Sequence, residues 1–322
     1  MSGTIDRGIV DRVRSEVISK SGVLDGTRQA WLNDDENVER FIRAEAGNEH
    51  KAMKRLVSTL AWMEEERPLE LFCPACYEFR RDGDQEDLQA SGAGHYMHVV
   101  AYDVTNRPTI YSCLELAKNK DIEDNRKHLI STFETAIQIM PPGVRQWNWV
   151  LDMHGFRLVD CDPRLARIFL SLASERYPER LGHFWVVDAP SLFSSLWSII
   201  ERFIDPKTKE KIRFVKTKGK DESKHELRTA LASHFGEAEV DFFVREIAEN
   251  RKAKRGEKKF CYRDFADRLR FAYTQYEKSS NDCNGGSAST LTQSGQQWST
   301  NFLSDIVRHT GGVMPPRLRT RK

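Results

Sequence analysis

The chain has 322 residues, with 50 basic against 48 acidic side chains and a formal net charge of +2. Bulk charge therefore points to neither a nucleic acid nor an acidic substrate, and any such claim falls to local clusters. The length allows about two domains with a sizeable core. No uninterrupted apolar stretch of about 18 residues could span a bilayer, and MSGTIDRGIVDRVRSEV at the start has no apolar signal core.

Residues 1–30 are polar with scattered Ile and Val, and read as a helix or a loose arm. The first strong helical pattern runs over 31–46, with Val38, Phe41 and Ile42 on one side and Arg40 and Arg43 nearby. Asn48 is placed to cap the next helix, whose stripe of Ala52, Leu56, Val57, Leu60 and Trp62-Met63 ends before Pro68. These helices make a small helical lobe over 31–68. Residues 69–94 contain Pro74, Gly83, Gly92 and Gly94 with an acidic run, and read as a linker. Within it Cys73 and Cys76 have CxxC spacing, but no second pair completes four ligands, so reduced thiols and no metal site are expected.

Two short strands around the Asn106-Arg107 turn suggest a hairpin over 97–111. A helix over 129–140 stops at Pro141-Pro142-Gly143, a strand covers 147–152, and another helix starts at Asp162-Pro163 and ends near Tyr177-Pro178. His183-Phe184-Trp185-Val186-Val187-Asp188 is aromatic and β-branched, which suits a strand buried on both faces. Ala189-Pro190-Ser191 then opens an amphipathic helix. Its apolar positions are Leu192, Phe193, Leu196, Trp197, Ile200, Phe203 and Ile204, with serines and charges opposite. Seven basic residues follow between Lys207 and Lys220, leading into a strand at Phe214. Repeated alternation of strand and helix argues for an α/β layer with largely parallel strands. After it come three charged helical patterns over 226–235, 238–247 and 260–276. The run Arg251-Lys252-Ala253-Lys254-Arg255 with Lys258-Lys259 reads as a solvated helix end, or else as a membrane or RNA contact. Residues 279–322 read as a disordered tail with a basic end at Arg317, Arg319, Arg321 and Lys322.

An ordered set of motifs resembles the CRAL-TRIO lipid-binding domain, in its yeast-type phosphatidylinositol transfer branch. These are Arg40-Phe41-Ile42-Arg43-Ala44, Asp103-Val104-Thr105-Asn106-Arg107-Pro108, Asp152-Met153-His154-Gly155, Tyr177-Pro178-Glu179-Arg180-Leu181-Gly182, Val187-Asp188-Ala189-Pro190 and Phe203-Ile204-Asp205-Pro206-Lys207-Thr208, followed by Lys211-Ile212. The resemblance implies an N-terminal helical lobe over 31–68 and a lipid-binding domain over 95–222, whose largely parallel sheet and helices enclose an apolar pocket. Residues 223–278 would be a helical extension. It implies a non-enzymatic carrier that takes phosphatidylinositol from one membrane and presents it at another. Such a protein is cytoplasmic and peripherally membrane-associated. It binds anionic surfaces, serves a phosphoinositide kinase pathway, and needs no cofactor and no nucleic acid. The sequence carries no HExxH, GxSxG or P-loop signature of an enzyme.

By the same resemblance, the inositol phosphate is held by Arg43, Glu179, Thr208 and Lys211. Arg and Lys donate to a phosphate, Thr adds a hydroxyl, and a carboxylate accepts from inositol hydroxyls. The helix bearing Leu192, Phe193, Leu196, Trp197, Ile200 and Phe203 becomes a gate over the pocket. Trp147 and Trp149 stand where the family has the Ser and Thr that bind phosphatidylcholine, so the wall is bulkier and choline lipid is disfavoured. Two alternatives stay open: a carrier of a sterol, tocopherol or retinoid-like ligand, which paired indoles suit, and an interaction module with a closed pocket.

Overall fold

The computed structural model describes residues 5–71, 96–117, 121–141, 143–157, 163–191, 193–217 and 226–252. The CxxC pair, nearly all of the expected linker, Leu192, the 260–276 helix and the basic tail lie outside the described residues. The chain divides into two compact units, Met1–Leu71 with Ala166–Arg180, and Phe72–Leu165 with Leu181–Lys322.

The first unit is helical. Helices α1 (Arg7–Ser21), α2 (Gly26–Asn33), α3 (Asp35–Ala44) and α4 (Glu49–Glu66) share a core of Val10, Val13, Val17, Leu32, Val38, Phe41, Ile42, Leu56 and Leu60. The start of the chain is thus a packed helix rather than an arm. The helix expected over 31–46 breaks at Asp34, which leaves helical geometry to accept a hydrogen bond from the Glu36 amide at 3.1 Å. An aspartate so placed satisfies an orphan donor of the new helix better than it supports the old one. Asn48 caps α4 through the Lys51 amide at 3.0 Å.

The second unit is built on a five-stranded sheet in the order β1 to β5, comprising β1 (Met97–Tyr102), β2 (Pro108–Cys113), β3 (Trp147–Asp152), β4 (Leu181–Val187) and β5 (Ile212–Val215). The β1–β2 pair is antiparallel and the other pairs are parallel. Helix α5 (Ile122–Gln138) follows β2 and begins seven residues before the expected start, capped by Asp121. Between β3 and β4 the chain runs through α6 (Pro163–Ser171) and a π-helical turn at Leu172–Arg176, of which Ala166 onward belongs to the first unit. After β4 come α7 (Phe193–Ile200), a single 3₁₀ turn, and α8 (Pro206–Lys209). Two more helices, α9 (Glu226–Ala232) and α10 (Glu237–Lys252), end its described part.

Alternation along parallel strands divides the sheet into two unequal faces. On one, Tyr111, Val150, Trp185, Val187 and Val215 join Leu227, Leu231, Phe235, Val240, Phe243 and Ile247 of the α9–α10 segment in a single core. Residues 226–252, expected as part of an appended extension over 223–278, pack on this face as its cover. A helical period shows that a helix has an apolar stripe but not which surface receives it.

On the other face, Trp149 registers with Phe184, Leu151 with Val186, Phe184 with Ile212 and Val186 with Phe214. Helix α5 covers the β3 side, where the Phe133 ring stacks on Trp147 at 4.8 Å and meets Trp149 edge-on at 5.7 Å. Toward β5 this face opens. Leu151, Phe184 and Ile212 are only partly buried, and Phe214 is 41 % exposed.

Candidate functional site

The open face carries the apolar part of the site. Phe184 meets the Trp149 ring at 5.4 Å, and the Trp149 indole N–H donates to Ser112 Oγ at 2.7 Å, which fixes the indole plane against the sheet. Both tryptophans are buried, Trp147 at 3 % and Trp149 at 6 % exposure. They fill the space between β3 and α5. Helix α7 meets this face through β5: the Trp197 ring lies edge-on to Phe214 at 5.0 Å and Phe193 lies 6.2 Å from it. Phe193 also meets Phe156, from the segment after β3, at 6.0 Å. Ile200 is half-buried at the end of α7. Leu192 and the side chains of Leu196 and Phe203 lie outside the described residues.

Two of the four head-group candidates belong to this unit, at the turn that feeds β5. Asp205 caps α8 by accepting from the Thr208 amide at 3.0 Å, with Pro206 in the first helical position. Burial alone would raise the Asp205 carboxyl, but hydrogen bonds from Thr208 and the charge of Lys211 outweigh it and hold it below its ordinary range. Lys211 Nζ donates to the Leu181 carbonyl at 2.8 Å, so its amine reaches the first residue of β4. The turn thus sets a half-buried hydroxyl and an ammonium on one short segment, both suited to phosphate oxygens.

The other two candidates belong to the helical unit. Arg43 donates to Glu39 at 2.7 Å and to Glu36 at 2.9 Å, with 16 % of its side chain exposed. A phosphate there competes with two carboxylates. Glu179 has φ of +61°, in the left-handed region that costs a non-glycine residue about 1–3 kcal/mol. A neighbouring arginine of the same motif holds the strained turn. Arg40 is 2 % exposed, packs its guanidinium 4.6 Å from the Phe41 ring centroid, and donates to the carbonyls of Arg176 at 3.2 Å and Pro178 at 3.5 Å. Arg180 and Arg40 both donate to Asn37 Oδ1. In the pair Arg40 and Arg43, one residue is thus a structural brace and the other an ion-paired surface arginine.

Two further networks frame the strand ends of the sheet. At the β1–β2 turn, Asp103 accepts from the Thr105 amide and hydroxyl and from the Arg107 amide, each at 2.8 Å, and from Asn148 Nδ2 at 2.8 Å. Asn106 has φ of +63°, which asparagine tolerates better than most residues. Asn148 Oδ1 accepts in turn from the His183 amide at 3.0 Å, and a Cβ at Gly182 would come within 2.7 Å of that same oxygen. Glycine is required there by close approach.

At the opposite strand ends, Arg251 of α10 donates to both oxygens of the fully buried Asp152 at 2.9 Å and to Asp188 at 2.8 Å. Asp188, with φ of +51°, also accepts from the Thr217 amide at 2.8 Å. Burial would raise its carboxyl, yet the Thr217 hydrogen bonds and the Arg251 ion pair hold it below its usual range. Arg251 is therefore an internal clasp, not a solvated end of a basic run. Asp152 and Asp188 lie in motifs the sequence singles out, but 99 and 63 residues from Arg251, and no local spacing links them.

Among the described residues no helix is long and apolar enough to cross a membrane, and no group of three or more His, Cys, Asp or Glu is placed to hold a metal ion.

Known proteins resemble this chain over the same region. Residues 94–239 match the CRAL/TRIO domain model. A CRAL-TRIO domain-containing protein of Schizosaccharomyces pombe is 29 % identical over 180 residues, covering 55 % of this chain and 40 % of that protein. The phosphatidylinositol transfer protein CSR1 of Eremothecium gossypii is 24 % identical, covering 55 % of this chain and 41 % of that one. The phosphatidylinositol transfer protein PDR17 of Saccharomyces cerevisiae is 23 % identical, covering 54 % and 50 %. The matches thus span half or less of these relatives' own lengths. The match to the domain model reaches the first residues of α10, so α9 and the turn after it fall inside the matched region. The mostly parallel five-stranded sheet and its helical covers fit that match, and the chain carries a CRAL-TRIO domain over residues 94–239.

Proposed function

We propose that the chain binds phosphatidylinositol against the α7 face of the sheet and carries it between membranes without catalysing a reaction on it. The observation that carries this reading is the inequality of the two faces. One is sealed by α9 and α10, with Val150, Trp185 and Val187 at 0 % exposure, while the other keeps Leu151, Phe184, Ile212 and Phe214 accessible. An acyl chain gains about 0.8 kcal/mol per buried CH₂, so an accessible apolar wall beside an aromatic helix suits a lipid tail. In this reading α7 is the gate. Thr208 and Lys211 take the phosphate, and Glu179 and Arg43 enter from the sequence resemblance. The protein acts at the cytoplasmic surface of anionic membranes, with phosphatidylinositol as its bound ligand, and the lipid it presents feeds a phosphoinositide kinase pathway.

The test is mass spectrometry of lipid co-purifying with the full chain, combined with vesicle transfer assays. Phosphatidylinositol is expected in the purified protein. Lys211→Ala and Glu179→Ala are each expected to slow its transfer about tenfold or more, the scale of a lost charged hydrogen bond. Normal transfer by both variants would show that the head group binds elsewhere. Recovery of a sterol or a tocopherol-like molecule instead would favour the second reading, for which the partly buried Phe184 ring beside Trp149 offers an aromatic surface.

A further inference from the structure

A cationic cluster surrounds the first residues of β4 on the face covered by α9 and α10, the face opposite the proposed lipid wall. The rings of His183, on β4, and His234, in the turn between α9 and α10, lie 4.2 Å apart between centroids. Both also meet the Trp185 ring, at 5.4 and 5.1 Å. The His234 carbonyl accepts from the Val104 amide at 2.9 Å, which ties this turn to the β1–β2 turn. Arg107 runs over Gly182, with its Cδ 3.3 Å from where a Cβ would stand. Arg213 registers beside Trp185 on β5 and shares its face.

The charges around this cluster do not balance. Among the described residues Asp103 is the one acid that acts on the two imidazoles, against Arg107, Arg213 and the rings themselves. Its carboxylate already accepts four hydrogen bonds, and the Arg107 guanidinium stands 4.0 Å away. Among the described residues Arg213 makes no ion pair, and neither imidazole ring makes a hydrogen bond. Beneath them the Trp185 side chain is 0 % exposed, and its indole N–H has no acceptor among the described residues. Guanidinium forks and imidazolium N–H groups are the donors that match a phosphate.

We propose that Arg107, His183, His234 and Arg213 form an oxyanion site for a phosphate group, separate from Thr208 and Lys211, that fills as the imidazoles protonate. Without the anion, burial and the neighbouring positive charges keep both rings neutral, and His183 is pushed down to about 4. A bound phosphate supplies the missing negative charge and reverses that bias. The phosphate can be a free ion or the head group of an anionic lipid.

The experiment is an NMR titration of the histidine side chains in the full chain, assigned with His183→Gln and His234→Gln, in chloride and in inorganic phosphate at equal ionic strength. Phosphate is expected to raise both apparent pKa values by about one unit, a tenfold preference for the protonated site. Arg213→Gln, an exposed substitution that spares the core, is expected to remove the rise. Co-sedimentation with phosphatidylcholine vesicles, with and without phosphatidic acid, at about pH 5 and about pH 7.5, separates the sources. Acid-dependent binding lost in Arg213→Gln identifies a lipid head group, and a phosphate-driven rise without it identifies the free ion. Identical titrations in the two anions, or a rise that persists in both Arg213→Gln and Arg107→Gln, would overturn the site.

The same pair gives a stability prediction that holds without any ligand. The folded pKa of His183 lies below its unfolded value near 6.5, so the unfolded chain binds more protons between those pH values. Stability is therefore expected to fall as pH drops from about 6.5 to about 4. Urea denaturation of wild type and His183→Gln across that window checks it; the variant should show a shallower slope.

Discussion

Arg251→Ala is expected to lower the unfolding free energy of the sheet unit by about 3–5 kcal/mol, the cost of leaving a buried charge without its partner. Asp152 is fully buried and receives both of its strong donors from one guanidinium. What remains after the substitution is the Tyr111 hydroxyl at 3.3 Å and the amide of His154 at 3.0 Å, too little to stabilise an ionised carboxylate in the interior. Asp188 loses its ion pair in the same step, at a left-handed residue directly before the Ala189-Pro190-Ser191 entry to α7. The comparison that isolates burial is Arg228→Ala. Its pair with Asp241 is largely solvated, with side chains 38 % and 53 % exposed, and the expected loss is within about 1 kcal/mol. Urea denaturation followed by tryptophan fluorescence measures both. Adding Asp152→Asn to Arg251→Ala should recover part of the loss, because an amide needs no counter-charge. If Arg251→Ala costs no more than Arg228→Ala, Asp152 is not a buried, clasped charge.

The clasp also shows where sequence reading stops. Strand β3 is legible to its ends because Trp147 to Asp152 is a short aromatic and β-branched run bounded by turn residues. Its burial partners are not legible. The stripe of Val240, Phe243 and Ile247 announces an amphipathic helix, but periodicity is silent on whether that stripe seals a sheet or extends beyond it. Charge is harder still. Arg251 heads a basic run and reads as solvated, and only the fold brings it to Asp152 and Asp188. Arg40 and Arg43 stand three apart on one helix, and composition cannot tell which is buried. The resemblance singled out Arg43, which the structure pairs with Glu36 and Glu39. It is Arg40 that supports the turn carrying Glu179.

Trp149 carries the second large effect. Its side chain is 6 % exposed, meets Phe133 and Phe184, and donates its N–H to Ser112, itself at 0 % exposure. Trp149→Ala is expected to cost about 3–5 kcal/mol, as burial of a large aromatic is lost and the neighbouring rings close the space only in part. Trp149→Phe keeps an aromatic wall and removes mainly the hydrogen bond, for an expected loss of about 1–2 kcal/mol. Lipid selection separates packing from function. If the indole shortens an acyl or head-group cavity beside Phe184, Trp149→Thr should transfer phosphatidylcholine measurably faster than Trp149→Phe, because a hydroxyl and free volume replace a filled wall. The comparison requires both variants to be folded at the assay temperature, which their melting curves establish directly. Equal phosphatidylcholine transfer by the two would mean that Trp149 only joins β3 to α5, and that the choice of lipid is made elsewhere on the open face.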